Sequence, residues 1–477
     1  MKSRWAPVLA WLAACMPFVG FWSYGLTDLD EGFYGAVVAD MLRRHDWITP
    51  TLNGVPWFEK PVLSYWLAMP SVALFGGEFG ARLPSVLCTL LAAAVMARFA
   101  RRHFGDGVAL VVPVAYTGSL LAGGIGRMMM TDPALVLCLT AAFTTFYDSL
   151  VGHPRLRLWS AVWLGLAVLA KGPVALVLFA ALAACLYWKC PNLRPQFRGQ
   201  WLLGTLIVVA IAATWYVPCY LANGQDFVQK FLIEQNIGRF KGGDAAHTVP
   251  LWAVPVYYPA VIALALLPWL FWGGKGLWRT VADRERGDPK TFLWLWGLVV
   301  VVFFSISGSK LPHYALPAVL PWLTLLLASV IEEKEAVNRW LPMAAGWAAV
   351  TLALAQGLIQ WYHKESFAEV QAVTREIASD PSPIVLFRLG GGGKGALGAN
   401  ETSHPSQMFY LRRVVTQTDD MTALTVGSSA KTVMTRSDAL DENVVTYLVT
   451  QGWKASPVQL KTPSEHYMVY RVEPVKE

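Results

Sequence analysis

A cluster of carboxylates follows the first long apolar stretch of the chain. The sequence DLDEGFYG places Asp28, Asp30 and Glu31 just beyond that stretch. A carboxylate at the edge of a membrane cavity can act as a general base, because partial burial raises its pKa and excludes competing water. Capping of an amphipathic helix predicted for residues 31–44 is the alternative role for Asp28 or Asp30. Capping accounts for one of the three acids, so the spacing leaves both roles open.

An acid and a cation stand side by side farther along the same loop. The sequence NGVPWFEKPVLSYWL contains Glu59 and Lys60 between aromatic and proline-flanked segments. Such a pair suits a phosphate-binding lysine with an orienting carboxylate, or a metal ligand. A pair that reaches the lipid headgroups from the protein surface is the alternative.

Later loops repeat this combination of ionisable and aromatic groups among apolar segments. The motifs RMMMTDP, AKGP, FLIEQNIGRF and SGSKLPHYALP contribute the following residues: Arg127, Asp132, Lys171, Glu234, Arg239, Lys310, His313 and Tyr314. Ionisable groups at membrane depth are candidates for function by default.

A metal ion is a second hypothesis for these loops. Glu59 together with His313 or His247 offers oxygen and nitrogen ligands for zinc, although no HExxH or comparable spacing occurs. The six cysteines contain no CxxC pair, which argues against a zinc-thiolate site and a disulfide framework. The sequence therefore predicts no cofactor with certainty and leaves zinc at Glu59 and His313 as a hypothesis.

The composition decides the class of protein that must position these residues. Hydrophobic residues make up 55% of the 477 residues and charged residues 15%, whereas soluble domains carry about 25% charged residues. The net charge is +7, but the part from residue 363 onward has twelve Lys or Arg and thirteen Asp or Glu. The positive excess therefore lies among the hydrophobic segments, which indicates membrane topology and anion binding rather than nucleic-acid binding.

Repeated apolar stretches of about 20 residues are long enough to cross about 30 Å of hydrocarbon. They lie near residues 5–26, 82–99, 107–125, 133–151, 157–170, 172–188, 201–222, 250–272, 292–307, 312–331 and 340–361. Pro and Gly interrupt several of them. We predict an all-α polytopic membrane domain over residues 1–362 with about 11 to 13 transmembrane helices.

Basic residues indicate the orientation of this domain. They cluster at the N-terminus and in alternate loops near residues 98–102, 155–157, 189–198 and 275–290. The positive-inside rule then predicts a cytoplasmic N-terminus and an outer face that carries loops 27–81 and 223–249 and the turns near 127–132, 171 and 308–311. Lys60, Lys171, Arg239 and Lys310 fall on the side that this rule disfavours for cations. A bound anion such as a lipid phosphate explains them better, with simple headgroup contact as the alternative for any one of them.

The chain changes character after residue 362. Runs such as Ile384–Phe387, Met408–Leu411, Tyr447–Thr450 and Tyr467–Val472 predict short strands, so residues 363–477 are expected to form a small α/β domain outside the cytoplasm. The glycine run that ends at Lys394 is followed by Gly395, not Ser or Thr, and predicts a loop rather than a phosphate-binding motif.

Taken in order, these motifs resemble a known family. DLDEGFYG, LNGVPWFEKPVLSYWL, the turn from Arg127 to Pro133, LAKGP and SKLPHYALP are similar to polyprenyl-phosphate-dependent glycosyltransferases of the C-type (GT-C) fold. The similarity covers residues 1 to about 330 and is strongest to bacterial aminoarabinose transferases and protein O-mannosyltransferase-like enzymes. It implies inverting transfer of a sugar from an undecaprenyl-phosphate-linked donor to lipid A, a glycan or a protein, at the periplasmic face of the inner membrane.

The resemblance also implies roles for individual residues. Asp30 matches the catalytic carboxylate and Asp132 the second acidic position. The residues expected to bind substrate are Glu31, Tyr34, Glu59, Lys60, Arg127, Lys171, Arg239, Lys310 and Tyr314. Phe33 stands where an aminoarabinose transferase commonly has Arg, which favours the broader family over that single activity.

Two other functions suit the same residues. A lipid-linked sugar flippase would hold the phosphate with the same cations, but it favours charges at the membrane midplane and repeat symmetry, and neither is clear in this sequence. A glycan ligase of the same broad fold would act on a chain instead of a single sugar. The acidic outer loop and the outer domain favour an enzyme.

Overall fold

The computed structural model describes residues 4–28, 30–242, 247–282, 288–332, 334–362, 365–389 and 405–475. The start of the chain, part of the basic loop near 275–290 and the glycine run that ends at Lys394 lie outside the described residues.

Helices dominate the described chain. In chain order they are α1 (Ala6–Cys15), α2 (Asp30–Arg44), α3 (Leu63–Phe75), α4 (Gly77–Phe104), α5 (Asp106–Thr117), α6 (Leu120–Gly126), α7 (Asp132–Leu150), α8 (Leu156–Lys171), α9 (Val174–Lys189), α10 (Trp201–Phe227), α11 (Arg239–Lys241), α12 (Val254–Ala265), α13 (Trp269–Ala282), α14 (Pro289–Ile306), α15 (Leu316–Val330), α16 (Leu341–Tyr362), α17 (Glu365–Ile377), α18 (Ser406–Leu411) and α19 (Glu442–Thr450). A π-helix, Val228–Gly238, joins α10 to α11.

Each of the eleven predicted apolar stretches is helical over most of its length, which confirms the all-α polytopic class. Six helices of the described chain are long and apolar enough to cross a membrane, or eight if each of two bent pairs is one span. Three shorter apolar helices, Ala6–Phe18, Leu63–Phe75 and Val174–Lys189, fall below that length. The count by length is therefore lower than the number of predicted stretches, because several stretches form helices shorter than the ~20 residues of a full span.

The two bent pairs show how the apolar segments are interrupted. The axes of α5 and α6 differ by 63°, and those of the segments before and after Pro268 differ by 109°. Pro268 has no backbone N–H to donate, so the helix breaks there. The hydroxyl of Ser119, which lies between α5 and α6, donates to the carbonyl of Ala265 at the end of α12 (2.7 Å). A side chain from one break thus satisfies a backbone group that the other break leaves without a helical partner.

The chain divides into two compact units. The first comprises Met1–Phe21, Phe58–Leu67 and Arg82–Gln356, and the second comprises Trp22–Trp57, Ala68–Ala81 and Gly357–Glu477. The first unit contains a helical core in which Phe143 and Phe292 pack against Trp296. The second unit contains the range predicted as an α/β domain and, in addition, α2 and the turn between α3 and α4.

A five-stranded mixed sheet forms the centre of the second unit. Its strands are β3 (Ile384–Phe387), β4 (Thr416–Thr418), β5 (Lys431–Arg436), β6 (Trp453–Pro457) and β7 (Tyr467–Pro474), in the order β4-β3-β5-β7-β6. A separate short hairpin pairs β1 (Thr51–Leu52) with β2 (Val55–Pro56). β3 is parallel to both of its neighbours, and β7 is antiparallel to both of its own. Apolar clusters lie on both faces of the sheet, one with residues of α17 and one with residues of α19.

Two of the four predicted strands are confirmed and two are wrong. Ile384–Phe387 is β3, and Tyr467–Val472 lies within β7. The run Met408–Leu411 belongs to α18, and Tyr447–Thr450 is the end of α19. Short apolar runs do not distinguish a strand from a buried helix turn. In α19 the Asp441 side chain accepts a hydrogen bond from the backbone N–H of Val444 (3.0 Å), a helix-capping signal that the apolar run does not contain.

Contacts from the C-terminal part hold α2 inside the second unit. The helix α18 packs on α2. The hydroxyl of Tyr410 accepts from the backbone N–H of Leu26 (2.8 Å), and the side chain of Asn53 exchanges two hydrogen bonds of 2.9 Å with the backbone of Val415. The acidic loop of the sequence therefore folds together with residues more than 350 positions farther along the chain.

Candidate active site

Glu59 joins two of the predicted cations in the first unit. Its Oε1 accepts hydrogen bonds from Lys60 Nζ at 2.7 Å and from Arg239 Nη2 at 2.8 Å. Glu59 and Lys60 lie in the loop before α3, and Arg239 is the first residue of α11. The three side chains are 11% to 16% exposed. The structure thus brings together two cations that are far apart in the sequence.

Glu59, Lys60 and Arg239 together carry a net positive charge. Burial alone would raise the pKa of Glu59, but the charges of Lys60 and Arg239 and their hydrogen bonds outweigh burial and lower the pKa to about 2. Glu59 is therefore ionised at neutral pH. One negative and two positive charges leave a net positive group that can attract an anion.

A second ion pair lies in the same unit. Lys171 Nζ donates to Asp132 Oδ1 at 2.5 Å, and His313 Nε2 lies 3.9 Å from the other oxygen of Asp132. The ammonium of Lys171 also lies 4.7 Å from the ring centroid of Tyr314. Asp132 begins α7 and Lys171 ends α8, and a short connection makes these helices antiparallel neighbours. Their far ends therefore meet, which explains why a first and a last helical residue pair.

A cavity of about 100 Å³ connects the two groups. Its charged lining consists of Glu59, Lys60, Lys171 and Arg239, and Tyr314 also lines it. The remaining lining residues are mostly apolar or uncharged: Pro61, Val174, Phe231, Gln235, Asn236, Phe240, Phe303, Phe304, Ser307 and Ser309. Cations and aromatic rings that line the same cavity suit an anion attached to an apolar chain.

The AKGP turn depends on its glycine. Gly172 has φ +83° and ψ −157°, a conformation that is essentially restricted to glycine. A Cβ atom at this position would lie 3.2 Å from Asn236 Oδ1 and 3.3 Å from Phe231 Cζ. Gly172 therefore lets the end of α8, with Lys171, approach the π-helix closely.

A second close approach links the loop of Lys310 to the end of α11. A Cβ atom on Gly308 would lie 2.4 Å from the backbone nitrogen of Gly242, and the N–H of Gly308 donates to the carbonyl of Phe240 (2.7 Å). The ammonium of Lys310 donates to the carbonyl of Ser307, within its own loop. Lys310 is buried beside the cavity and is not one of the residues that line it.

Arg127 differs from the other predicted substrate-binding cations. It is 2% exposed, and its guanidinium donates to the carbonyls of Pro17 (3.0 Å) and Val19 (3.2 Å). These carbonyls lie just beyond α1, where the helix no longer provides N–H groups to pair with them. Within the described chain Arg127 is not part of the cavity lining, and its contacts account for it as a residue that stabilises the end of the first apolar segment.

The predicted acids of the first loop belong to the second unit. Glu31 is fully buried, and its Oε2 accepts from the backbone N–H and the hydroxyl of Thr27 (2.8 and 2.9 Å), which ties the first turn of α2 to the residues before it. Asp28 Oδ1 accepts from the backbone N–H of Ser406 (2.9 Å). Asp30 is partly exposed and makes no hydrogen bond or ion pair with another described residue. Tyr34 is buried.

The zinc hypothesis receives no further ligand from the fold. Within the described residues no group of three or more His, Cys, Asp or Glu side chains is placed to hold a metal ion. Glu59 directs Oε1 to two cations and His313 faces Asp132. The donor set therefore does not identify a metal centre, and no step below depends on one.

Two polar residues of the π-helix line the cavity and were not predicted. In FLIEQNIGRF the sequence suggested Glu234 and Arg239, but Glu234 is exposed, whereas Gln235 and Asn236 line the cavity. The side-chain oxygen of Gln235 is buried and has no hydrogen-bond partner in the described part of the chain. Helical spacing was the available signal, because residues four apart such as Gln235 and Arg239 share a helix face.

Comparison with known proteins identifies relatives of this chain. A family model described as dolichyl-phosphate-mannose-protein mannosyltransferase matches residues 59–217. An undecaprenyl phosphate-alpha-4-amino-4-deoxy-L-arabinose arabinosyl transferase from Pectobacterium carotovorum is 32% identical over 377 residues, which are 75% of this chain and 65% of that protein. The corresponding protein of Serratia proteamaculans is 33% identical over 351 residues, 71% of this chain and 61% of that protein. The chain spans less than two thirds of the length of these curated relatives.

A solved structure shares the fold over nearly the whole chain. The crystal structure of ArnT from Cupriavidus metallidurans bound to undecaprenyl phosphate matches with a TM-score of 0.78 and 19% identity, covering 99% of this chain and 98% of that one. The chain belongs to the polyprenyl-phosphate-dependent GT-C glycosyltransferase family. This membership confirms the resemblance of the sequence motifs and the GT-C fold.

Proposed function

We propose that this GT-C protein transfers a sugar from a polyprenyl-phosphate-linked donor, such as an undecaprenyl-phosphate sugar, to an acceptor. The observation that carries the proposal is the cavity that Lys60, Lys171 and Arg239 line together with aromatic side chains. The acceptor class comprises lipid A, a glycan or a protein. The relatives named as undecaprenyl phosphate-alpha-4-amino-4-deoxy-L-arabinose arabinosyl transferases support that lipid-linked sugar as the first donor to test.

The cations of the cavity suit the donor phosphate. The negative charge of Glu59 orients Lys60 and Arg239 without neutralising both, so a phosphate oxygen can take a hydrogen bond from each cation. Lys171 is held by Asp132 and adds a third cation. Interactions with charged donors are the strongest hydrogen bonds available to a phosphate, and partial burial strengthens them further.

The aromatic residues of the cavity suit the first prenyl units. Phe231, Phe240, Phe303 and Phe304 line the same cavity. A polyprenyl chain continues into the membrane from its phosphate, and contact with these rings would fix the direction in which the phosphate enters. Binding energy from the chain then helps to position the reacting carbon.

The reaction needs a good leaving group and a base. The acceptor oxygen forms a bond to the anomeric carbon as the bond from that carbon to the phosphate oxygen breaks, which inverts the configuration. Lys60, Lys171 and Arg239 stabilise the charge on the departing polyprenyl phosphate, so no strong general acid is required. A hydroxyl acceptor loses its proton to a carboxylate, and we assign this role to Asp30, which has no partner among the described residues. Asp132, the second predicted catalytic acid, would act by holding Lys171 in place.

We propose that the site lies on the periplasmic side of the bacterial inner membrane. The basic loops assign the cytoplasmic side to the N-terminus, so the acidic first loop and the second unit would face the periplasm of the bacterial inner membrane. The donor, the acceptor and the membrane lipids are then the partners of this protein.

Transfer by the purified full chain in detergent tests the proposal. The assay supplies undecaprenyl-phosphate sugars with a membrane lipid extract and measures released undecaprenyl phosphate together with glycosylated product. Loss of the Asp30 carboxylate in Asp30→Asn is expected to reduce transfer by about 10²–10⁴-fold, the usual contribution of a general base.

Asp28→Asn is the matched control. Its amide oxygen can still accept from the N–H of Ser406, so transfer should stay near the wild-type level. Equal activity in Asp30→Asn and wild type would remove Asp30 as the base. If wild type transfers no sugar but moves the lipid-linked sugar across liposome bilayers, the protein is a flippase and not a transferase.

A further inference from the structure

A groove of about 350 Å³ opens on the first unit, far from the candidate active site. Residues of α4, α7 and α8 line it, and Asp148 marks its position on α7. Sixteen residues of helix separate Asp148 from Asp132, which corresponds to about 24 Å along the axis. This length is close to the thickness of the hydrocarbon core, so the groove lies near the membrane surface opposite to the candidate active site.

The mouth of the groove carries an unbalanced positive charge. Arg98 and Arg102 of α4 line it together with Asp148. Asp148 is already engaged, because Arg102 donates to Oδ2 and His103 Nε2 lies 2.8 Å from Oδ1. Arg98 is exposed and makes no hydrogen bond or ion pair with any described residue. One guanidinium is therefore available to an anion at the edge of the membrane.

The interior of the groove is apolar. Trp159 and Trp163 lie one turn apart on α8, so they share a face, and Trp159 is 60% exposed. Ala141 and Thr145 line the α7 side, and the hydroxyl of Thr145 donates to the carbonyl of Ala141 in its own helix. The small residues leave a channel that follows α7 for about 10 Å from Asp148 to Ala141. Trp side chains are typical of the membrane interface.

We propose that this groove binds one anionic membrane phospholipid. Its phosphodiester would pair with Arg98, and the first part of an acyl chain would lie between the two tryptophans and α7. A basic mouth above an apolar space between transmembrane helices is the arrangement that binds anionic headgroups. A single available guanidinium matches the single charge of a phosphodiester that does not react, whereas the candidate active site gathers three cations for a donor phosphate that gains a second negative charge as it leaves the sugar.

Native mass spectrometry of the full chain in detergent tests this proposal. The protein is incubated with phosphatidylglycerol or with phosphatidylcholine of the same acyl chains, and the fraction that retains one lipid is measured. Wild type should retain phosphatidylglycerol in preference to phosphatidylcholine. Arg98→Gln should lower the apparent affinity for phosphatidylglycerol about fivefold, the effect of one arginine near an anionic surface. Because the Arg98 guanidinium has no hydrogen-bond or ion-pair partner in the described chain, the substitution removes no such bond among these residues.

Two matched variants separate the groove from general membrane charge. Arg101→Gln removes a cation from the same helix that pairs with Asp106 and does not line the groove, so phosphatidylglycerol binding should not change. Thr145→Leu fills the groove without changing any charge and should weaken binding of both lipids. Equal binding by wild type and Arg98→Gln overturns the proposal. Displacement of phosphatidylglycerol by equimolar undecaprenyl phosphate also overturns it, since the groove would then be a second site for the substrate lipid.

Discussion

Glu59 determines how two cations present their charges. Without its carboxylate, Lys60 and Arg239 would repel each other. With a pKa of about 2, the carboxylate stays ionised across the physiological range and holds both donors through one oxygen. Asp132 does the same for Lys171. The candidate site thus contains three cations with only part of their charge neutralised, and the direction of each cation is set before an anion arrives, which reduces the cost of binding.

Lys60→Met tests the cation at the centre of this arrangement. We expect a higher KM for the polyprenyl-phosphate donor and a fall in kcat/KM of about 10–100-fold, because a charged hydrogen bond contributes roughly 1.5–3 kcal/mol. Steady-state kinetics with varied donor measure both quantities. Lys230→Met is the control, since Lys230 is exposed on the π-helix and does not line the cavity. An unchanged KM in Lys60→Met would exclude Lys60 from phosphate binding.

At the scale of elements, the π-helix places one side of a single segment along the cavity. Phe231, Gln235, Asn236, Arg239 and Phe240 all line it. The steps between them are four, one, three and one residues, so lining positions recur every four to five residues from the π-helix into α11. This period suits the wider turn of a π-helix better than a regular α-helix, and π-helical turns occur frequently at functional sites. The AKGP turn supports this segment from α8, because Gly172 has no side chain to keep the two apart.

Gly172→Ala should disturb this contact. The new Cβ atom would occupy a backbone conformation that alanine rarely adopts, at a cost of about 1–3 kcal/mol, and would press on Asn236 and Phe231. We expect a lower melting temperature and reduced donor binding. Gly346→Ala is the control, because that glycine lies in α16 with no atom within 4 Å of a new Cβ, and it should be neutral or slightly stabilising. Equal effects of both changes would contradict a special role for the turn.

The segment of residues 461–466 depends on acids of α17. Glu376 accepts from the backbone N–H groups of Lys461 (2.7 Å) and Thr462 (3.2 Å), and these hydrogen bonds lower the pKa of Glu376. A carboxyl with a lowered pKa stabilises the fold fully above its unfolded pKa of about 4.3 and loses that contribution as the pH falls through the folded value.

We therefore expect these amides to lose protection when the pH falls from 7 to below 4. Hydrogen exchange of residues 461–462, corrected for the intrinsic rate at each pH, measures the effect. Glu376→Gln should weaken protection at pH 7 and remove most of the pH dependence. The same pH dependence in the variant and in wild type would show that another group is responsible.

At the scale of the whole molecule, the chain order does not follow the division into compact units. The second unit combines segments 22–57 and 68–81 with the C-terminal part of the chain. Glu78 accepts hydrogen bonds from Tyr410 (2.9 Å) and from Arg375. These bonds add to the contacts of Leu26 and Asn53 with the same part of the chain. The helix that carries Asp30 is therefore stabilised by residues that a cut near residue 362 would remove.

A chain that ends at Gln356 should consequently lose transfer activity, although it retains Lys60, Lys171 and Arg239. Co-expression of residues 357–477 as a separate chain is expected to restore part of the activity, because the contacts are non-covalent. Transfer and co-purification of the two fragments measure this outcome. Full activity of the short chain alone would show that the second unit is dispensable for catalysis.

Several features of this protein follow from local sequence patterns. Apolar stretches of about 20 residues identify a membrane protein and locate its helices, because a helix needs about that length to cross the hydrocarbon core. The adjacency of Glu59 and Lys60 is covalent, so their pairing is available from the sequence. The family motifs assign the GT-C fold, which the matched structure confirms. The strands β3 and β7 are also recognisable from their own residues, since the runs Ile384–Phe387 and Tyr467–Val472 predict them.

Only the tertiary structure decided the partners of the polar groups. Arg239 reaches Glu59 across 180 positions and Lys171 reaches Asp132 across 39, whereas Arg127 turns to the backbone after α1. α18 is a helix that packs on α2, and α19 is a helix capped by Asp441, although their apolar runs suit strands equally well. A side chain pairs with whatever group the fold brings within about 3 Å, and that neighbour depends on helix packing across the whole unit rather than on the residues beside it in the chain.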